Sequence, residues 1–195
     1  MNVTIFDTPL LTGSFRCITR ILLHLSGWRV QGPFPSLPKF ILLGAPHTSN
    51  WDFILMLALG FSLHTRLQYL GKAELFRTPL GWFFRWCGGI PVERNKSVGL
   101  VEQTAVMIQG QERVILAIAP EGTRDKVSGW KTGFYYIAQK AGIPIVLGFV
   151  DGGNKTIGIG PTFHLTDDMQ SDMKVIQSFY AGMVGIRPHR TSSLQ

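Results

Sequence analysis

FILLGAPHTSNWDFILMLALGFSL, residues 40–63, contains the pattern from which the rest of the chain can be read. It opens with apolar residues at consecutive positions and is stopped by Gly44 and Pro46, which predicts a short strand covered on both faces. HTSNWD then breaks the apolar run. From Trp51 to Leu63 the only charge is Asp52, and that length and composition predict a buried helix over 51–63. It falls short of the roughly 20 apolar residues that cross a bilayer. Buried strand, polar turn, buried helix is the opening of an α/β unit, and the alternation recurs downstream.

A short strand is expected near Leu67 to Gly71, a helix near 76–86, and an extended piece at IPVER, 90–94. A helix over about 97–109 follows, then the strand RVILAIAP, a helix over about 131–141, and the strand IPIVLGFV. Runs such as VILAI and IVLGFV fit strands sandwiched between helical layers. After Asp151, DGGNK reads as a turn, TIGIGPTFHL as extended, and 167–183 as a final helix. The prediction is a single-domain α/β sandwich with a largely parallel or mixed central sheet covered by helices.

With 195 residues and 45% hydrophobic content, the chain can bury one substantial core, and two domains would be cramped. The catalytic core is expected over 36–185, preceded by an N-terminal segment, 1–35, and followed by a loose basic tail, 186–195. Residues 8–29 predict an amphipathic helix, with Arg16, Arg20 and His24 on one stripe and leucines and isoleucines around the rest. Such a helix packs on its own core or lies in a membrane interface, and the sequence leaves both readings open.

Charged residues are only 16% of the chain, yet 19 basic against 12 acidic residues give a net charge of +7. That balance suits an anionic partner: nucleic acid, an anionic membrane or a phosphorylated substrate. Cys17 and Cys87 lack metal or redox spacing and read as reduced thiols. MNVTIFDTP does not resemble a signal peptide, so secretion is not expected, and the three Asn-X-Ser/Thr matches at Asn2, Asn95 and Asn154 read as chance.

Three polar clusters each follow an apolar segment: HTSNWD, the Glu93–Arg94 pair after GGIPV, and EGTRD after VILAIAP. Strand carboxyl ends are where α/β sheets bind ligands, so all three are expected to line one site. In HTSNWD, a carboxylate in the first helical turn can point back to His47. Asp52 would then fix the imidazole tautomer and leave the other ring nitrogen to take a proton from an alcohol. Ser49 or Asn50 is expected to cap the helix. No GxSxG accompanies the pair, so the hydroxyl is expected to come from the substrate. In EGTR, Gly122 permits a tight backbone approach, Arg124 can bind phosphate bidentately, and Glu121 can orient a hydroxyl or a partner arginine. Arg94 and Lys72 can add positive charge there. Backbone amides near the start of the 51–63 helix, or in the GGIPV loop, are candidates for an oxyanion site.

Together these residues resemble a known family. HTSNWD is similar to the His-four-residues-Asp motif of the glycerophospholipid acyltransferase superfamily, which includes the lysophosphatidic acid acyltransferases. GGIPVER at 88–94, PEGTR at 120–124 and IPIV at 143–146 resemble its second, third and fourth blocks, with Leu147 and Gly148 where a second proline is usual. The resemblance implies a glycerol-3-phosphate acyltransferase-like fold. It also implies transfer of an acyl group from acyl-CoA or acyl-carrier protein to a lysolipid such as 1-acylglycerol-3-phosphate, without metal or organic cofactor. It makes His47 the base and Asp52 its orienter, with Arg94, Glu121, Gly122 and Arg124 binding the acceptor and Lys72 and Lys131 near its head group. The expected location is the cytoplasmic face of a membrane, peripheral or monotopic.

Rival readings predict other patterns. An RNA-binding module needs basic residues interleaved with exposed aromatics, whereas GWFFRWCGG holds one arginine among four aromatic residues. A metal hydrolase needs further His/Asp/Glu ligands beyond His47 and Asp52. Acylation of another lysolipid, such as a lyso-ornithine lipid, and a non-catalytic membrane-binding protein of the same fold remain as alternatives.

Overall fold

The computed structural model describes residues 3–8, 11–93 and 99–192. In chain order the elements are α1 (Leu11–Ser26), β1 (Arg29–Gln31), β2 (Lys39–Ala45), α2 (Trp51–Ser62), β3 (Gln68–Lys72), α3 (Ala73–Arg77), α4 (Gly81–Trp86) and β4 (Gly89–Val92). They continue as α5 (Leu100–Gln109), β5 (Val114–Ile118), α6 (Gly133–Ala141), β6 (Ile145–Asp151), β7 (Thr156–Phe163), α7 (Met169–Phe179) and a 3₁₀ turn, Pro188–Arg190. The strands form one seven-stranded sheet in the order β1-β7-β6-β2-β5-β3-β4. It is mixed: β6 and β7 pair antiparallel and every other pairing is parallel. The chain is thus an α/β sandwich, as its alternation predicts.

β2 shows why its apolar run is continuous. Phe40 and Leu42 point into one hydrophobic layer with Leu55, Leu59 and Phe61 of α2, while Ile41, Leu43 and Ala45 point into the other with Phe134 and Ala138 of α6 and Ile176 of α7. A central strand with helices on both faces has no solvent side, so period-two alternation disappears. α1, α2 and α4 contribute to the first layer, and α5, α6 and α7 to the second.

Several local expectations are corrected. The helix expected near 76–86 is two short ones, because Pro79 drives Thr78 into extended backbone (ψ 163°). A side chain at Gly81 would meet the Phe76 carbonyl oxygen at 2.1 Å, so the corner closes only on glycine. β1, absent from the sequence reading, is a three-residue edge strand too short to show a period. The largest correction is at the C-terminus. Residues 186–192 are not a loose tail: Arg187 N donates to Thr48 Oγ1 at 3.0 Å and Val127 N donates to Ser192 Oγ at 3.0 Å. The segment is pinned between the loops after β2 and β5.

Candidate active site

β2 and β5 are adjacent parallel strands, so their following loops leave the sheet side by side. His47 Nδ1 lies 2.9 Å from Asp52 Oδ2, and that same oxygen accepts the backbone N–H groups of Thr48 and Ser49 at 2.8 Å each. Asp52 is buried in the first turn of α2, where a carboxylate is favoured by the helix dipole. Ser49 Oγ accepts from Trp51 N at 3.2 Å, so Ser49 caps the helix and the Asn50 side chain does not. With Nδ1–H donated to Asp52, the proton-free nitrogen of neutral His47 is Nε2, on a side chain that is 24% exposed. The pair therefore leaves the imidazole partly exposed while its carboxylate partner stays buried.

The second loop is bound to the first through Glu121, whose Oε1 accepts the His47 backbone N–H at 3.0 Å. Glu121 is 4% exposed, and burial pushes its carboxyl above the usual glutamate range, against the pull of that N–H and of the His47 charge. Its other oxygen is buried without a hydrogen-bond partner among the described residues, as is Asp52 Oδ1. Gly122, at φ +66°, carries the turn close under Lys131, whose side-chain carbons would lie 3.0–3.1 Å from an added Cβ. Lys131 N also donates to Pro120 O at 2.8 Å, folding the chain back over the EGTR turn.

Arg124 lines a cavity of about 230 Å³ between the two loops, with Ser49, Asn50, Thr123 and Asp125. Lys72 ends β3, two strands away from β2, and among the described residues no hydrogen bond or ion pair connects it to His47, Glu121 or Arg124. Arg94 lies outside the described residues. Its neighbour Glu93 pairs with Arg77 Nη2 at 3.2 Å.

The candidates for an oxyanion donor at the start of α2 are narrowed. At the start of α2 the backbone N–H groups of His47, Thr48, Ser49, Trp51, Asp52 and Phe53 all donate within the protein. These six hold the turn around His47 in place, which leaves the Asn50 N–H as the candidate in that turn.

Tyr180 was silent in the sequence. Its hydroxyl reaches Leu43 O at 2.6 Å and Gly148 O at 3.1 Å, stapling β2 to β6 beneath the site, and its ring meets Trp130 edge-on at 5.3 Å. Burial, then the Glu121 charge, raises this hydroxyl well above the ordinary tyrosine range, which keeps it a donor. No motif marks a tyrosine just past the last helix.

The structure thus gathers a histidine–carboxylate pair and an arginine-bearing turn at the carboxyl ends of sandwiched strands. Residues 30–146 match the family model described as Acyltransferase, and the chain belongs to that family. Among curated relatives, a 1-acyl-sn-glycerol-3-phosphate acyltransferase of Streptococcus pneumoniae (strain ATCC BAA-255 / R6) is 27% identical over 143 residues, 68% of this chain and 52% of the relative. One of the same name from Haemophilus influenzae (strain ATCC 51907 / DSM 11121 / KW20 / Rd) is 28% identical over 136 residues, 64% of this chain and 55% of the relative. The chain thus spans about half the length of the curated relatives it matches. The crystal structure of the 1-acyl-sn-glycerophosphate (LPA) acyltransferase PlsC from Thermotoga maritima superposes with a TM-score of 0.57 at 16% identity, covering 87% of this chain and 78% of that one. That likeness is one of fold.

Proposed function

We propose that this protein transfers a fatty acyl group from an acyl-CoA or acyl-carrier-protein thioester to the free hydroxyl of a lysophospholipid, with 1-acylglycerol-3-phosphate as the favoured acceptor. The observation that carries this reading is the partly exposed His47–Asp52 pair, in a turn whose Ser49 and Asn50 line an arginine-bearing cavity. His47 Nε2 takes the hydroxyl proton as the acceptor oxygen attacks the thioester carbonyl. The tetrahedral intermediate then collapses, the C–S bond breaks, and the thiolate leaves with the proton returned by the imidazolium. Base assistance of this kind is commonly worth about 100- to 10,000-fold. Asp52 holds the tautomer and balances the imidazolium. Arg124 and Lys131 face the acceptor's phosphate, and Arg94 and Lys72 are assigned to it on sequence grounds alone.

Membrane docking accompanies this reading. Ile18, Ile21, Leu22 and Leu25 of α1 are exposed, as are Trp51 and Ile54 of α2 and Leu80 and Trp82 at α4. All belong to elements covering one face of the sheet, and α1 packs on α2 through Phe15 stacked on Phe61, with centroids 5.5 Å apart. No helix among the described residues is long and apolar enough to cross a membrane. An outward apolar surface on a chain of charge +7 suits peripheral attachment to an anionic leaflet, where a lysolipid acceptor resides. The cytoplasmic face follows from the soluble thioester donors.

The test is acyl transfer from labelled acyl-CoA and acyl-carrier protein to lysophosphatidic acid and to a panel that includes lyso-ornithine lipid, with His47→Ala as control. Transfer to lysophosphatidic acid that disappears in His47→Ala is expected. More than a few per cent residual rate in that variant sinks the base assignment. Transfer to another lysolipid alone overturns the acceptor, and none from folded protein leaves a non-catalytic membrane protein.

A further inference from the structure

The cavity that holds Arg124 has a third wall, made by Arg187 and Arg190 from the C-terminal segment. That segment lies beyond residues 30–146, which match the family model. We propose that Arg187 and Arg190 complete the acceptor site and select a phosphomonoester dianion over singly charged or zwitterionic head groups, an inference that rests on the lysophospholipid reading above.

Three observations carry it. The first is convergence: Arg124, Arg187 and Arg190 come from two loops far apart in sequence and line one small cavity with Ser49 and Asn50, which follow His47 by two and three residues. The second is charge. Arg190 Nη1 lies 3.4 Å from Asp125 Oδ1, which offsets one cation, whereas among the described residues the guanidinium groups of Arg124 and Arg187 have no hydrogen-bond or ion-pair partner. Two uncompensated guanidinium groups at one cavity match a dianion, and their planar forks suit the oxygens of a phosphate. A head group bearing an ammonium meets repulsion there.

The third is rigidity, which separates a built subsite from a stray pair of surface arginines. Arg187 N donates to Thr48 Oγ1, and the Thr48 N–H is held by Asp52, so the arginine is referenced to the same carboxylate that orients the base. Gly185 packs so tightly on Thr48 that an added Cβ would lie 2.5 Å from its side chain. Gly152 N donates to Val184 O at 2.7 Å, and Gly185 N donates to Thr191 Oγ1 at 3.0 Å, fixing the segment's approach from both ends. The position of Arg187 relative to Nε2 is thereby set by backbone contacts that no side-chain substitution at 187 removes.

The experiment compares initial rates of the wild-type chain, Arg187→Ala, Arg187→Lys and Arg190→Ala with lysophosphatidic acid and with lysophosphatidylglycerol, a phosphodiester. Inorganic phosphate serves as a competing probe. Arg187→Ala is expected to raise KM for lysophosphatidic acid roughly tenfold or more, as loss of a charge-assisted contact does, with a larger effect on KM than on kcat. The inhibition constant for phosphate should rise in parallel, lysine should restore part of the loss, and preference for the phosphomonoester should narrow. Unchanged KM and phosphate inhibition in both alanine variants overturns the inference while leaving the acyltransfer reading intact. An equal fall in kcat for both acceptors also overturns it, since that marks a positioning effect on the base. If the wild-type chain transfers nothing to lysophosphatidic acid, the acceptor reading fails and takes the subsite with it.

Discussion

Asp52→Asn separates what the carboxylate does by shape from what it does by charge. One oxygen, Oδ2, receives the His47 Nδ1–H and the N–H groups of Thr48 and Ser49, while Oδ1 is buried without a hydrogen-bond partner among the described residues. An asparagine that puts its amide oxygen at the Oδ2 position keeps all three hydrogen bonds and places its NH2 where Oδ1 was. The tautomer and the loop survive, and only the negative charge is lost. At 2.9 Å, a unit charge pair is worth about 1.4 kcal/mol in water and about 5.7 kcal/mol at an effective dielectric near 20. His47 is a quarter exposed and Asp52 nearly buried, so an intermediate value of about 2–3 kcal/mol is expected for the imidazolium, or roughly 30- to 150-fold in rate. Asp52→Ala, which also frees the ring and three donors, should fall as far as His47→Ala. The assay is initial-rate acyl transfer at saturating donor, with thermal melting to confirm the fold. A wild-type rate in Asp52→Asn refutes the electrostatic role of Asp52. A loss as complete as that of His47→Ala, with the fold intact, refutes the single-oxygen arrangement.

Other outcomes follow from the same geometry. Burial raises the folded-state pKa of Glu121, so between its unfolded and folded values the native state holds a proton that the unfolded state has lost, and stability falls as pH rises through that window. Glu121→Gln, which can still accept from His47 N, should flatten this fall in a Tm-against-pH series, and an unaltered slope contradicts it. Leu22→Glu with Leu25→Glu, both exposed, should abolish flotation with anionic liposomes at an unchanged Tm; persistent flotation removes the docking role of α1. Truncating α1 is a poorer test because it strips Leu23 and Phe15 from the core. Cys87 is fully buried, with its thiol pushed up to about 11, while Cys17 is exposed. A maleimide should therefore label one thiol in the native protein and two after denaturation, and rapid labelling of both in native protein would refute the packing around α4.

How much of this was legible in the sequence depends on how far each feature's causes lie along the chain. β2 and α2 could be read because their burial writes itself into consecutive apolar residues, and the contact of His47 with Asp52 because both flank one turn. The partnership of HTSNWD with EGTR was inferred from strand ends, and the bond from His47 N to Glu121, across 74 residues, realises it. β1 escaped because three edge residues carry no period, and the split between α3 and α4 was hidden by the apolar run GWFFRW, although Pro79 was in view. The segment from 186 onward looked loose because its composition is polar and basic. Its order comes from Thr48, 139 residues away from Arg187, and from Val127, 65 residues away from Ser192. No local pattern encodes such partners.

These long-range bonds also tie the segments around His47 to one another. The groups around His47 are each fixed by another segment: Asp52 by α2, the His47 backbone by Glu121, Thr48 by the Arg187 amide, and the floor under all of them by Tyr180. The cost is a pair of buried carboxylates, each with one oxygen that has no hydrogen-bond partner among the described residues. Destabilised polar groups of this kind persist where function needs them, and here they hold the base loop and the arginine-bearing turn in one frame. The two loops are joined directly by the His47 N–H to Glu121 bond and bridged again by the C-terminal segment through Thr48 and Val127. The placement of His47 relative to the EGTR turn is therefore a property of the junction between β2 and β5, and the contact with Thr48 adds the C-terminal arginines to it.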